Sequence, residues 1–242
     1  MPSTTSAACP FCGAPLRRRT ALVGGREMFC GWERCGCEGS ERSRAEEARR
    51  EAERAAREEE GRRARAYRRA GIPPRFAAAE HPMAEAVADG ARRGRGAYVC
   101  GPVGTGKTHL ACAAARILVD GGMSVRVTDM LGVLARLKGT WGGEGTEDGV
   151  LSGLSRCGLL VLDDLGKEAP GDWALSQVFR VVNDRYESMR PVVVTTQYGR
   201  ADLIRRLARN GDAETAVAVV SRLAEMCDRY ELSGRDRRLG NG

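Results

Sequence analysis

A chain of 242 residues, 42% of them hydrophobic, can bury the core of one ordinary domain and carry a smaller module besides. No run approaches the ~20 apolar residues of a membrane span, and Met1–Ala8 lacks a basic start while Cys9 falls where a secretory signal would be apolar, so a cytoplasmic chain with reduced thiols is expected. The formal charge of +7 is concentrated in residues 1–70, with 16 Arg against 11 Glu; this favours an acidic partner without establishing nucleic-acid binding.

Five of the nine cysteines lie in the first 40 residues. Cys9-Pro10-Phe11-Cys12 and Cys30-x₄-Cys35-x-Cys37 form two knuckles separated by about twenty residues, a spacing that suits a tetrahedral Cys₄ zinc site. The expected ligands are Cys9, Cys12, Cys30 and Cys35, with Cys37 as the alternate to Cys35. So few apolar residues surround them that this segment needs a staple to fold. The remaining Cys100, Cys112, Cys157 and Cys227 are scattered and read as small buried hydrophobes.

Residues 41–70 are almost only Arg, Glu and Ala, strong helix formers, and predict one exposed helix without an apolar stripe. Glu46–Arg50, Glu53–Arg57, Glu58–Arg62 and Glu59–Arg63 place the acid four residues before the base, the favourable order. A solvated spacer is the plainer reading and a nucleic-acid-binding helix the alternative. Ile72-Pro73-Pro74 is expected to stop the helix.

From Gly71 onward apolar runs alternate with helical patterns. Strands are predicted at Ala97–Cys100, Ser124–Thr128, Gly158–Leu162, Pro191–Thr195 and near Tyr230–Leu232. Helices are predicted at Lys107–Asp120, Met130–Lys138, Trp173–Met189, Arg200–Arg209 and Ala213–Cys227. This order implies an α/β fold with a parallel sheet covered on both faces.

Gly101-Pro102-Val103-Gly104-Thr105-Gly106-Lys107-Thr108 fits the phosphate-binding loop G-x-x-x-x-G-K-[ST] completely, with a strand before it and a helix after. Glycines let main-chain N–H groups wrap phosphate oxygens, and the helix start adds its positive end. Lys107 is expected on the β/γ-phosphates of ATP and the Thr108 hydroxyl on Mg²⁺. His109, next in the run, is grouped with the nucleotide-contacting residues. Leu159-Leu160-Val161-Leu162-Asp163-Asp164 places two carboxylates at a strand's carboxyl end, where α/β sheets put their sites. Asp163 is assigned to Mg²⁺, and Asp164 to positioning or deprotonating water. Gln197, after the strand Val192–Thr196, is a third polar group that could face the γ-phosphate or the water.

In this order, GPVGTGKTHLA, LLVLDDLGKE and VVVTTQY resemble the AAA+ ATPases of bacterial replicative helicase loaders (the DnaC/DnaI type) and the related IstB-like helper ATPases of transposition. The resemblance covers about residues 66–240. It implies a P-loop AAA+ ATPase domain at 71–242 with a five-stranded parallel sheet and a reduced lid. The zinc-binding module, 1–40, and the charged linker helix, 41–70, precede that domain.

By the resemblance, Gln197 stands at the sensor 1 position, where the family usually has Asn. Ser221-Arg222-Leu223 matches the segment that supplies an arginine finger to a neighbouring subunit, making Arg222 the candidate. Gly234-Arg235-Asp236-Arg237-Arg238 resembles the closing sensor 2 segment, with Arg238 in that role and Arg237 as fallback. The chain ends four residues after Arg238, too few for a full helical lid. The implied partners are the hexameric replicative helicase, held through the N-terminal module, single-stranded DNA, and further copies of the chain. The glycine-rich stretch Lys138–Gly149 with Trp141 reads as a mobile connection or as a DNA-facing loop with a stacking side chain. A transposition helper is the alternative function, its zinc module docking on a transposase or target complex. A metabolic P-loop kinase would need an acceptor pocket and a catalytic lid, and neither has a signature here.

Overall fold

The computed structural model describes residues 7–143, 145–167 and 171–234. Its contacts divide the chain into two units, Met1–Arg62 and Arg63–Gly242.

The first unit opens on a knuckle, with Ala8 bridged to Pro15, followed by an antiparallel hairpin of β1 (Arg18–Val23) and β2 (Arg26–Trp32). Two glycines with positive φ, Gly24 at 59° and Gly25 at 80°, make its two-residue turn, the left-handed pair that a tight hairpin requires. Sequence patterning missed this hairpin because both strands are largely exposed and lack an apolar alternation.

Helix α1 (Glu38–Ala70) runs 33 residues, with acids in its first turn and Arg68 and Arg69 in its last, as the helix dipole favours. Of its residues only Tyr67 and Ala70 are buried. The ion pairs differ from those expected. Arg49 pairs with Glu53 and Arg54 with Glu58, both in the reverse order, while Glu59 pairs with Arg62. Arg63 turns instead to Asp120 at 2.6 Å, and the Tyr67 hydroxyl donates to the same carboxylate. A tertiary partner shared by two donors outcompetes an exposed i,i+4 contact worth only a few tenths of a kcal/mol, roughly. The helix ends at Gly71 rather than at the prolines. Gly71 has φ 80°, and Ile72 N–H donates to the Tyr67 carbonyl, closing the turn before Pro73 is reached.

The second unit is a five-stranded sheet in the order β4-β5-β6-β3-β7. Its strands are β3 (Gly96–Cys100), β4 (Val125–Asp129), β5 (Leu159–Asp163), β6 (Val192–Thr196) and β7 (Cys227–Glu231). Every neighbouring pair is parallel. The helices are α2 (Ala84–Arg92), α3 (Lys107–Asp120), α4 (Met130–Thr140), α5 (Glu147–Ser155), α6 (Asp172–Glu187), α7 (Arg200–Leu207) and α8 (Ala213–Met226). Alternate strand residues feed two separate cores. Tyr98, Leu160, Leu162, Val192 and Val194 pack with α4 to α8. Ala97, Val99, Leu159, Val161 and Val193 pack with α2 and α3. Burial on both faces explains why these strands read as unbroken apolar runs.

Two helices were not anticipated, α2 and α5. Thr146 caps α5 through Gly149 N–H, so part of the stretch taken as a connection is helical. Asp129, the last residue of β4, caps α4 in the same way.

One buried cation holds the back of this sheet. Arg185 on α6 is fully buried and donates to the carbonyls of Leu154, Cys157, Gly158 and Pro191. It ties the entrances of β5 and β6 together with no carboxylate partner among the described residues. No helix among the described residues is long and apolar enough to cross a membrane.

Candidate functional site

The carboxyl ends of β3, β5 and β6 meet at one edge of the sheet. β3 runs into the loop 101–106, whose Gly101, Gly104 and Gly106 all have positive φ. Gly106 precedes α3 with no side chain capping the first turn, so the helix presents uncapped N–H donors there. Lys107 is buried, and its ammonium donates to the loop carbonyls of Gly101 and Pro102 at 2.8 and 2.7 Å. Thr108 donates its hydroxyl to both carboxylate oxygens of Asp163, at 2.9 and 3.0 Å.

Asp163 ends β5 and is pinned from the other side by Thr195 of β6, whose hydroxyl donates at 2.5 Å. Burial raises the Asp163 pKa, the Thr195 hydroxyl works against that, and the neighbouring Asp164 pushes it further up. A divalent cation would relieve the same cost, because it supplies the missing counter-charge. Thr195 also accepts the Asp164 main-chain N–H at 2.9 Å. Asp164 takes φ 56°, a left-handed conformation that costs a non-glycine residue roughly 1 kcal/mol or more. Its carboxylate turns to Lys167, with Nζ 2.6 Å from Oδ2.

A cavity of about 460 Å³ opens over this edge. Lys107, Thr108 and His109 line it from α3, Asp164 and Lys167 from the turn after β5, and Gln197 from the turn after β6. Arg75 and Phe76 close another side. Phe76 lies edge-on to His109, ring centres 6.0 Å apart, and the His109 Nε2 meets the Glu80 carbonyl at 2.9 Å. The Gln197 amide donates to the Tyr198 hydroxyl at 2.8 Å. The donor set suits its expected ligands. A hydroxyl beside a carboxylate offers hard oxygen ligands to Mg²⁺, and a lysine beside an uncapped helix start favours phosphate.

Arg222 is elsewhere. It stacks over Phe179 and Tyr186 of α6 at 4.9 and 5.5 Å from the ring centres, and its Nη1 donates to the Ala218 carbonyl. Arg237 and Arg238 lie outside the described residues. Trp141 is exposed, packs edge-to-face on Trp173 at 5.3 Å, and donates to Glu147.

Sequence reasoning missed Thr195 and Lys167. The signal for Thr195 is the register, which pairs Leu162 of β5 with Val194 of β6 and so sets Asp163 beside Thr195. Lys167 sits in the quoted LLVLDDLGKE run but carried no assignment.

In the first unit the sulfurs of Cys9, Cys12, Cys35 and Cys37 lie within 4.8 Å of one another. This corrects the expected set: Cys30 is replaced by Cys37, and Cys35 stays. The cause is the hairpin, since Cys30 is an exposed residue inside β2 while Cys35 and Cys37 follow that strand and meet the first knuckle. Sulfurs at 3.7 Å (Cys9–Cys37) and 3.5 Å (Cys12–Cys35) match the edges of a small tetrahedron, which for Zn–S bonds of about 2.3 Å have edges of about 3.8 Å. Main-chain N–H groups of Phe11 and then Cys12 draw the Cys9 pKa down to about 7, towards the thiolate that a metal needs.

Comparison with known proteins adds the lineage. A family model described as IstB-like ATP binding protein matches residues 91–241. The replicative helicase loader DnaC of Escherichia coli K12 is 31% identical over 108 residues, 44% of this chain and 44% of that protein. The putative ATP-binding protein of insertion sequence IS21 from Pseudomonas aeruginosa is 31% identical over 147 residues, 61% of this chain and 54% of that protein. Matches to both curated relatives thus span about half of their length. A crystal structure of the DnaC helicase loader aligns with a TM-score of 0.56 at 26% identity, over 66% of this chain and 100% of that one. With its parallel P-loop sheet of the AAA+ kind, the chain belongs to the family of IstB-like ATP-binding proteins and is similar to the DnaC helicase loaders.

Proposed function

We propose that this protein is a Mg·ATP-driven loader of the replicative DNA helicase. The observation that carries the ATP site is the Thr108–Asp163–Thr195 chain of hydrogen bonds at the mouth of the phosphate loop. It places a hydroxyl and a carboxylate together beside an uncapped helix start.

Main-chain N–H groups of residues 103–106 and the first turn of α3 bind the phosphates, and Lys107 leaves its two loop carbonyls to meet them. Thr108 and Asp163 hold the metal. Asp164 and Gln197 orient water, which the tight turn at Asp164 and the Gln197–Tyr198 bond prepare. When bound, Mg·ATP supplies the scissile anhydride and most of the counter-charge for its cleavage. Arg222 serves a neighbouring copy, which fits its place away from its own cavity; Arg238 is kept as sensor 2. Oligomers are then required for turnover, because a finger supplied in trans is worth ~10³–10⁵ in rate.

Residues 1–40 fold around one Zn²⁺ held by Cys9, Cys12, Cys35 and Cys37, and dock on the helicase. Residues 41–70 are the linker helix and 71–242 the ATPase domain. Trp141 offers a stacking face to single-stranded DNA. The site of action is the cytoplasm.

The second reading, an ATPase helper of DNA transposition, is favoured by the family model over residues 91–241 and by the longer match to the IS21 protein. Both readings use the same ATP site, so the partner decides. Tagged full-length chain isolated from its own cells with ATP and Mg²⁺ should retain the replicative helicase. Recovery of a transposase in its place selects the second reading.

A further inference from the structure

The cavity over the phosphate loop is lined by a second lysine that the motif does not require. Lys167 lines the same cavity as Lys107, Thr108 and Gln197. Its ammonium contacts Asp164 at 2.6 Å. We infer that Lys167 distinguishes a nucleoside triphosphate from a diphosphate, exchanging its pair with Asp164 for the terminal phosphate. This rests on the reading of the loop as a triphosphate site.

Three observations support the exchange. The side chains of the pair are 48% and 34% exposed, so solvent screens it and it is weakly held. A terminal phosphate carries more charge and more acceptor oxygens than one carboxylate, so the lysine prefers it when both are in reach. The backbone under the pair is fixed. Lys167 N–H donates to the Asp164 carbonyl at 3.2 Å, and Asp164 N–H donates to Thr195 at 2.9 Å. Movement is therefore left to the flexible lysine side chain, while the Asp164 main chain stays where β6 holds it. Lys107 does not duplicate this role, because it rises from the first helical residue inside the loop, whereas Lys167 approaches from the turn after β5. The consequence is a link between nucleotide state and the water-orienting group: Asp164 gives up its lysine only when a third phosphate is present.

The experiment is equilibrium binding of full-length protein to a non-hydrolysable ATP analogue and to ADP, both with Mg²⁺. Wild-type protein should prefer the triphosphate. Lys167→Gln should lose about tenfold of that preference, a loss of one charge-assisted contact, with ADP affinity unchanged and Lys167→Arg restoring it. Asp164→Asn, which removes the competitor, should strengthen triphosphate binding alone. An unchanged triphosphate-to-diphosphate ratio in Lys167→Gln, or an equal loss for both nucleotides, overturns the inference. Wild-type protein that binds neither nucleotide overturns the site reading itself.

Discussion

Thr108 and Asp163 lie 55 positions apart and share two hydrogen bonds, so the first turn of α3 and the tip of β5 are joined through the pair of groups proposed to hold Mg²⁺. β6 lies between β3 and β5 in the sheet, so the contact reaches across the end of β6. Thr195 completes the row from β6. Losing either outer hydroxyl leaves Asp163 buried with one fewer donor, and the two losses differ in what they do to metal.

Thr108→Val should reduce Mg²⁺-dependent ATP binding by about tenfold or more, the cost of one lost hard-oxygen ligand, while metal-free binding changes little. Titration of a fluorescent ATP analogue with and without EDTA measures both. Lys107→Ala should abolish ATP binding or turnover; unchanged ATPase activity would reject the site.

Arg222→Ala should spare nucleotide binding and lower turnover by about 10³-fold on its own, and mixing it with Lys107→Ala protein, which still carries its finger, should restore part of that turnover. The same change removes the stacking on Phe179 and Tyr186, so thermal unfolding must be read alongside. Full turnover of Arg222→Ala alone, or no rescue on mixing, places the finger elsewhere.

Zinc content should be near one per chain by elemental analysis, and Cys37→Ser should lose it while Cys30→Ser keeps it. The pair of variants separates the observed cluster from the one spacing favours. Chelation should leave the second unit's unfolding transition in place.

Arg185→Met should destabilise the second unit by about 2–4 kcal/mol. It removes a donor from the carbonyls of Leu154, Cys157, Gly158 and Pro191, of which Leu154 and Pro191 keep another, and each acceptor left unsatisfied costs roughly 1–3 kcal/mol before relaxation. Denaturant unfolding with an unchanged m-value is the check.

Much of the second unit was legible because its information is local. The boundaries of α3 follow from the glycine loop and from Gly121, β3, β5 and β6 from apolar runs bounded by turns, and β4 from its alternation, whereas β7, a polar edge strand expected near Tyr230–Leu232, starts earlier at Cys227. The phosphate loop and the Asp163-Asp164 pair announce themselves by residue type. What escaped needed a neighbour in space. Spacing offers Cys37 only as the alternate to Cys35, until the hairpin takes Cys30 out of the cluster and both Cys35 and Cys37 join it. Thr195 is one threonine of two at a strand end until the register sets it against Asp163. Arg63 has a suitable glutamate four residues earlier, yet Asp120 lies across the fold with a tyrosine hydroxyl to share.

Gly101 carries two obligations at once. Its φ is 146°, and a β-carbon there would run into the Leu232 carbonyl, whose residue also donates its N–H to Cys100. The opening residue of the phosphate loop is thereby a seat for the segment that follows β7. An alanine at this place would first unseat that neighbour, so inactivity of such a variant says as much about a displaced edge strand as about a missing amide.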